Sequence, residues 1–332
     1  MKILLNKPVT PCLKTLVGYL EQVNLSGWYT NFGPLHEQLT YRLEEYLGVD
    51  NLLLVSNGTL ALHVAYKALG IQRAICTPFS YVATASSLAW EKIPTSFVDI
   101  DECSLNLCPS LVDKKLMGST GIDSVIATHV YGNPCAVESF DRLGTKHNIK
   151  LIYDGAHAFG VKYRKKSLLS YGDAATLSFH ATKVFHTVEG GAVVFKDKAV
   201  YKKAKQLINF GLDSSGFPTG SGINAKLNEY QSAVGLTLLD KIDDILEHRQ
   251  TLFLAYTRLL ESYFQLPLWN EHVSFKNGSY FPIILENETE KMRIKSLLDN
   301  LEIPSREYFY PSLNMVFNPQ DLCPVSQSIA SR

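Results

Sequence analysis

The chain has 332 residues, 46% hydrophobic and 19% charged, with acidic and basic residues balanced at 32 each. This length suits one large domain, or a large domain with a smaller companion, and it can bury a substantial core. A formal net charge of zero, with no basic block interleaved with aromatics, argues against a nucleic-acid or anionic-membrane partner.

In chain order, MKILLNKPVTP has an apolar run only from Ile3 to Leu5, too short for a signal peptide, and no later stretch reaches the length of a membrane span. A soluble cytoplasmic protein is therefore expected. PLHEQLTYRLEEYL (34–47) puts Leu35, Leu39, Leu43, Tyr46 and Leu47 on one helical face, with Pro34 suited to the first turn and Gly48 to the end. A short apolar run, Leu52 to Ser56, is followed by a helix from Thr59 to Leu69 that stops at Gly70. Apolar runs recur at 74–77, 96–100, 124–130, 150–153, 174–179 and 192–195, most of them separated by helical or turn-like segments. Continuous apolar strands alternating with helices predict an α/β protein whose mostly parallel sheet is covered on both faces. The last run follows closely on the one before and is expected to join antiparallel.

The Gly- and Ser-rich stretch 209–228 is long for a loop and marks a functional or mobile segment. One long helix is predicted from about Glu229 to Tyr263, then a strand at Tyr280–Leu285 and a helix at Glu290–Leu301. The boundary is drawn near Glu247, giving a large unit 1–247 and a small one 248–332. The six cysteines form no C-x-x-C pair and have no histidine at ligand spacing, which predicts neither a disulfide framework nor a zinc site, and mostly buried thiols. Lys202, Lys203 and Lys205 read as a solvated helix face.

Three features carry chemistry. VSNGTLALHVAYKALG (55–70) passes from strand through a tight turn into a helix, whose free N–H groups and positive end suit a phosphate; Gly58 permits close approach and Thr59 adds a hydroxyl. A simple N-capped helix is the alternative, and no Walker or dinucleotide motif is present. In KLIYDGAHAFG (150–160), Asp154 stands at a strand's C-terminal end, where ligands of parallel sheets gather. It either holds a proton on a pyridine nitrogen or caps the next turn, and His157 either bonds an adjacent ring substituent or is a packed histidine. In LSFHATKVFHTVEGG (177–191), Lys183 lies between Ser178 and the Glu189-Gly190-Gly191 turn. A lysine there is a surface charge, a phosphate ligand, or the covalent anchor of a cofactor. A phosphate turn, a carboxylate for a pyridinium and a lysine, in that order on an α/β chain, together favour pyridoxal 5′-phosphate (PLP).

SNGTLALHVAYKALG, TPFSYVATASSLAWE, PTSFVDID, THVYGNP, YDGAHAFG, YGDAATLSFHATK, EGGAVV and GINAKLNEYQSAVGL resemble, in order from about Asn6 onward, the DegT/DnrJ/EryC1/StrS family of sugar aminotransferases. The resemblance implies an aspartate-aminotransferase-like α/β fold (fold type I), with a mostly parallel central sheet and a smaller C-terminal α+β domain. It implies PLP bound at a homodimer interface. Lys183 would bind the cofactor covalently, Asp154 would pair with the pyridine nitrogen and His157 would contact the ring hydroxyl. Tyr81 would stack on the ring, and Gly58, Thr59 and Ser178 would hold the phosphate. Asn224, in GINAKLN, would reach that phosphate from the partner subunit. Arg306, Tyr308 and Tyr310 are candidates for substrate contact; His180 and His186 receive no role.

By the same resemblance the amino donor is L-glutamate and the acceptor a keto sugar on a nucleotide diphosphate, in a ping-pong scheme. TPFSYVAT and THVYGNP are most similar to members that aminate C4 of dTDP-4-keto-6-deoxy-D-glucose; amination at C3 is the alternative. Relatives that dehydrate sugars carry His in place of the lysine, so Lys183 argues against that activity. Two departures stand out. Val188 occupies a position where the family has Gly, predicting a local change of turn. The family also continues beyond SQSIASR with a strand and a helix. The resemblance thus implies a shortened C-terminus with an exposed sheet edge, and makes a non-catalytic binding relative a competing reading.

Overall fold

The computed structural model describes residues 3–332. Its strands are β1 (Leu52–Val55), β2 (Ala74–Cys76), β3 (Thr95–Phe97), β4 (Ser124–Thr128), β5 (Lys150–Asp154), β6 (Lys162–Tyr163), β7 (Lys166–Ser167), β8 (Ala174–Ser178), β9 (Gly191–Phe195) and β10 (Val273–Phe275). Its helices are α1 (Leu13–Ser26), α2 (Pro34–Leu47), α3 (Gly58–Leu69), α4 (Val82–Trp90), α5 (Pro109–Met117), α6 (Val137–His147), α7 (Lys198–Leu207), α8 (Glu229–Leu239), α9 (Ile242–Leu260), α10 (Glu288–Asn300), α11 (Leu313–Phe317) and α12 (Pro324–Ser331).

Seven strands form one sheet in the order β1-β9-β8-β5-β4-β2-β3. All run parallel except β9, which pairs antiparallel with both β1 and β8. The chain between β8 and β9 is a turn without a helix, so no crossover returns it to the starting edge, and the antiparallel register follows. Alternate side chains of each strand enter opposite cores. Leu52, Leu54, Ile75, Val125, Leu151, Tyr153 and Ala175 meet α2, α5, α6 and α8 on one face. Leu53, Val55, Ala74, Cys76, Ile126, Ile152 and Ala174 meet α3, α4 and α7 on the other. In α2 the burial of Leu35, Leu39, Leu43 and Leu47 at four-residue intervals is the predicted stripe, and Gly48 ends the helix in the left-handed conformation at φ 63°.

Three expectations change. The predicted long helix is two, α8 and α9, broken at Asp240–Lys241. Because α8 is buried on nearly every side, its pattern carries no polar face from which the break could be read. Tyr280–Leu285 is not a strand: its one sheet-like contact is an isolated bridge from Ile284 to Gln265. The strand of this region is instead β10, which joins β6 and β7 in a three-stranded sheet. Only Cys76, Cys135 and Cys323 are buried; Cys12 and Cys103 are exposed and Cys108 is intermediate, and all six are free.

The C-terminal elements return to the main sheet. Leu313 and Cys323 are buried in the same core as β2. Asp321 accepts from Phe97 N–H, and Asp99 accepts from the N–H groups of Val325 and Ser326 at the start of α12. Among the described residues, no helix is long and apolar enough to cross a membrane.

Candidate active site

The parallel strands all end on one edge of the sheet. Val55, Ser178, Asp154 and Thr128 end β1, β8, β5 and β4 there, and the antiparallel β9 begins there at Gly191. A cavity of ≈ 290 Å³ opens at this edge, lined among others by Gly58, Thr59, Tyr81, Asp154, His157, Ser178, Lys183, Tyr280, Arg306 and Tyr308. Seven of the eight residues singled out from sequence for PLP therefore line one cavity.

The turn that opens α3 is built by close backbone packing. Asn57 caps α3, its side-chain oxygen accepting from Leu60 N–H at 2.8 Å. Among the described residues, the N–H groups of Gly58 and Thr59 have no acceptor, as expected at a helix start. A Cβ on Gly58 would lie 2.8 Å from Ser178 Cβ, and one on Gly191 would lie 2.6 Å from the Asn57 carbonyl carbon. Glycine at both positions lets the β9 start, the α3 start and Ser178 converge on one point. The cap predicted as the alternative is present, supplied by Asn57, and it leaves the next two N–H groups free for an anion.

Asp154 is buried. Its Oδ2 accepts from Thr84 Oγ1–H at 2.7 Å and its Oδ1 from Ala156 N–H at 3.1 Å. His157 is also buried, and its Nδ1 accepts from Tyr131 N–H at 3.1 Å, which leaves the ring proton on Nε2. Burial, and then the Lys183 charge, hold the His157 pKa well below the usual histidine range, so the ring is neutral and Nε2–H is a donor.

Lys183 sits in the turn between β8 and β9. In the same turn Phe179 and Phe185 pack edge to face at 4.9 Å, and Phe159 stacks on Phe185 at 4.8 Å. Its Nζ donates to the Tyr280 hydroxyl at 3.2 Å. Burial pushes the amine below the usual lysine range, and the Asp154 charge opposes this. Val188 takes the left-handed conformation at φ 69°, so the turn keeps a shape suited to glycine even though a β-branched residue occupies it.

Tyr81 is the residue before α4 and is about half exposed at the cavity. Asn224 does not line the cavity of its own chain. It lies exposed in the Gly-rich loop, bridged to Asn209, with the neighbouring Ala225 carbonyl accepting from Ser56 N–H at 2.8 Å. Arg306 and Tyr308 reach the cavity; Tyr310 does not, and lies exposed beside Lys291. His180 lines the rim with its Nδ1 beside Thr182 Oγ1, whereas His186 is tied to Val9 O and Val188 N away from it.

Sequence reasoning missed Thr84 and Tyr280. Thr84 stood inside TPFSYVAT, three residues after Tyr81, where one helical turn returns it to the same side. Tyr280 was hidden by its assignment to a strand. The turn before it is anchored by Asn277, whose buried side-chain amide donates to the carbonyls of His157 and Phe159 at 2.8 and 2.9 Å and whose oxygen accepts from Ser279 N–H at 3.0 Å.

A half-buried lysine, a carboxylate at a strand end and free helix-start N–H groups in one cavity define an α/β enzyme that holds a phosphorylated pyridine cofactor, and the glycine-floored turn fits the phosphate of PLP. Residues 13–332 match the DegT/DnrJ/EryC1/StrS aminotransferase family. The chain is 37% identical to a dTDP-4-amino-4,6-dideoxy-D-glucose transaminase of Shigella dysenteriae, over 99% of this chain and 92% of that one. It is 31% identical to a protein of the same name from Escherichia coli, over 98% and 91%. The fold matches a crystal structure of DesI in the presence of its TDP-sugar product, with a TM-score of 0.91 and 27% identity, over 100% of this chain and 86% of that one. The chain belongs to the DegT/DnrJ/EryC1/StrS aminotransferase family, and is a PLP-dependent nucleotide-sugar aminotransferase of fold type I.

Proposed function

We propose that the enzyme moves an amino group from L-glutamate to C4 of dTDP-4-keto-6-deoxy-D-glucose, working as a homodimer with shared sites. The observation that carries the site assignment is the meeting of Lys183, Asp154 and the free N–H groups of Gly58 and Thr59 in one cavity. PLP supplies an electron sink for the bond electrons released at the donor Cα.

The chain's residues do the rest. Gly58 and Thr59 N–H and the Ser178 hydroxyl hold the phosphate at the positive end of α3. Tyr81 covers one face of the ring. Asp154 keeps a proton on the pyridine nitrogen, and His157 Nε2–H donates to the ring hydroxyl oxygen. Lys183 would hold the cofactor covalently and, once freed by the amino donor, would carry the proton from the donor Cα. A lysine must be neutral to accept that proton, and burial favours its neutral form. Asn224 of one subunit reaches the phosphate in the other, and Arg306 and Tyr308 contact the nucleotide-linked sugar.

The C4 and dTDP assignments are supported by the names of the similar transaminases. The test is the visible spectrum of the purified protein before and after L-glutamate, followed by product mass with 4-keto and 3-keto nucleotide sugars. A yellow band that bleaches with glutamate and is lost in Lys183→Ala is expected, with amination of the 4-keto sugar. No band after incubation with PLP would refute the site assignment. Turnover of the 3-keto sugar alone would refute the carbon.

A further inference from the structure

Three hydroxyl groups stand in a row behind Asp154. Thr84 Oγ1 lies 2.7 Å from Asp154 Oδ2, Ser80 Oγ lies 2.7 Å from Thr84 Oγ1, and Thr128 Oγ1 lies 2.9 Å from Ser80 Oγ. The three residues are at most 3% exposed. They come from two segments: Ser80 and Thr84 flank Tyr81 at the start of α4, and Thr128 ends β4 directly opposite Asp154 in the parallel register.

The direction of the row follows from donor counting. A carboxylate only accepts, so Thr84 must give it its single hydroxyl proton. Thr84 Oγ1 then accepts from Ser80, whose own proton is thereby committed, and Ser80 Oγ accepts from Thr128. All three O–H bonds point toward Asp154, and each link polarises the next in the low-dielectric interior. Hydrogen bonds donated to a carboxylate favour its charged form.

We propose that this row biases the proton between Asp154 and the pyridine nitrogen toward the nitrogen, so that Thr84 is a positioning residue for the electron sink. The proposal rests on the assignment of Asp154 to that nitrogen. A carboxylate whose charge is spread over donors pulls less on a shared proton. Without the row, the proton shifts to Asp154, the ring loses its positive charge, and removal of the donor Cα proton slows.

The experiment is 15N NMR of the holoenzyme loaded with PLP labelled at the pyridine nitrogen, with stopped-flow kinetics of the glutamate half-reaction. In Thr84→Val the resonance should move toward that of an unprotonated pyridine. Its half-reaction rate should fall roughly tenfold or more at saturating glutamate, the scale of one hydrogen bond to a charged group, with little change in the glutamate concentration giving half-maximal rate. Thr84→Ser should restore both, and Thr128→Val should shift the resonance the same way by less. An unmoved resonance in Thr84→Val overturns the proposal, even if rate or stability falls, because a packing role would not touch the nitrogen. If Thr84→Val fails to load PLP, Thr128→Val decides, and an unshifted resonance there overturns the row. Asp154→Asn separates the two assignments: if it leaves the nitrogen protonated, the pairing of Asp154 with the nitrogen is wrong.

Discussion

Glu229 is the first residue of α8 and only 1% exposed, yet it caps a different helix. Its two carboxylate oxygens accept from Leu35 N–H and His36 N–H, each at 2.8 Å, in the first turn of α2. Glu229→Gln keeps one acceptor oxygen and turns an NH2 group toward the second N–H. A buried donor left unpaired costs about 1–3 kcal/mol, and loss of a buried anion at a helix N-terminus costs up to about 2 kcal/mol. Part is offset because the amide no longer buries a charge; a net loss of about 3 kcal/mol is expected. Unfolding entropy of about 2.1 cal/mol/K per residue near 60 °C is about 0.7 kcal/mol/K for 332 residues, so Tm should fall by about 4 °C. Gly33→Ala should act on the same contact from the other side, since its Cβ would lie 2.7 Å from Glu229 Cδ. Calorimetry of both variants and of the pair is the assay. A Tm for Glu229→Gln within a degree of the parent would refute the reasoning, by showing that the carboxylate's desolvation cancels its hydrogen bonds.

Tyr280→Phe should lower the pH at which Lys183 becomes neutral, because the phenol oxygen accepts from its ammonium; burial already holds that amine below the ordinary lysine range. Amine-reactive labelling of Lys183 in the apoprotein across pH reads this directly, and an unchanged or higher midpoint refutes it. Val188→Gly should raise stability by about 1 kcal/mol, since the left-handed conformation at φ 69° is costly for a side chain branched at Cβ; a lower urea midpoint would contradict this. If sites are shared, mixing Lys183→Ala and Asn224→Ala subunits makes hybrids with one intact site, and random exchange in a symmetric dimer should recover about a quarter of parental activity. No recovery after demonstrated subunit exchange would place both residues in the same chain's site.

The parts of the fold legible from sequence are those whose pattern is produced by one local cause. β1, β4, β5 and β8 are buried on both faces along nearly their whole length, so each reads as an unbroken apolar run. In α2 a solvated face makes the four-residue repeat visible. Tyr280–Leu285 is apolar for a different reason: Phe281 packs against Phe253 and Tyr256 of α9 and Tyr280 is turned to Lys183, and strand pairing depends on a neighbour that no local pattern encodes. The same limit hid β10, a three-residue strand whose partner β6 lies more than a hundred positions earlier. Lys183, Asp154 and Gly58 were legible as candidates because the proposed chemistry calls for particular residue types at the sheet edge, and the structure brings all three to one cavity. Thr84 was not, because a threonine in an apolar helix start reads equally well as core.

The spacing of the site motifs is set by the sheet more than by the chemistry. Asp154 and Lys183 are 29 positions apart in sequence. They meet because β8 lies parallel beside β5, so that both strands end at one edge, and because β9 returns antiparallel and folds the Lys183 turn back over that edge. The glycines are needed where three backbones crowd together: Gly58 against Ser178, and Gly191 against Asn57. A side chain at either point would push the α3 N–H groups away from Ser178 while leaving Lys183 and Asp154 in place. Under the proposed function the glycines therefore govern phosphate binding, and Lys183 and Asp154 govern the chemistry. This separation predicts that Gly58→Ala weakens cofactor retention first, whereas Lys183→Ala abolishes turnover even with the phosphate cradle intact.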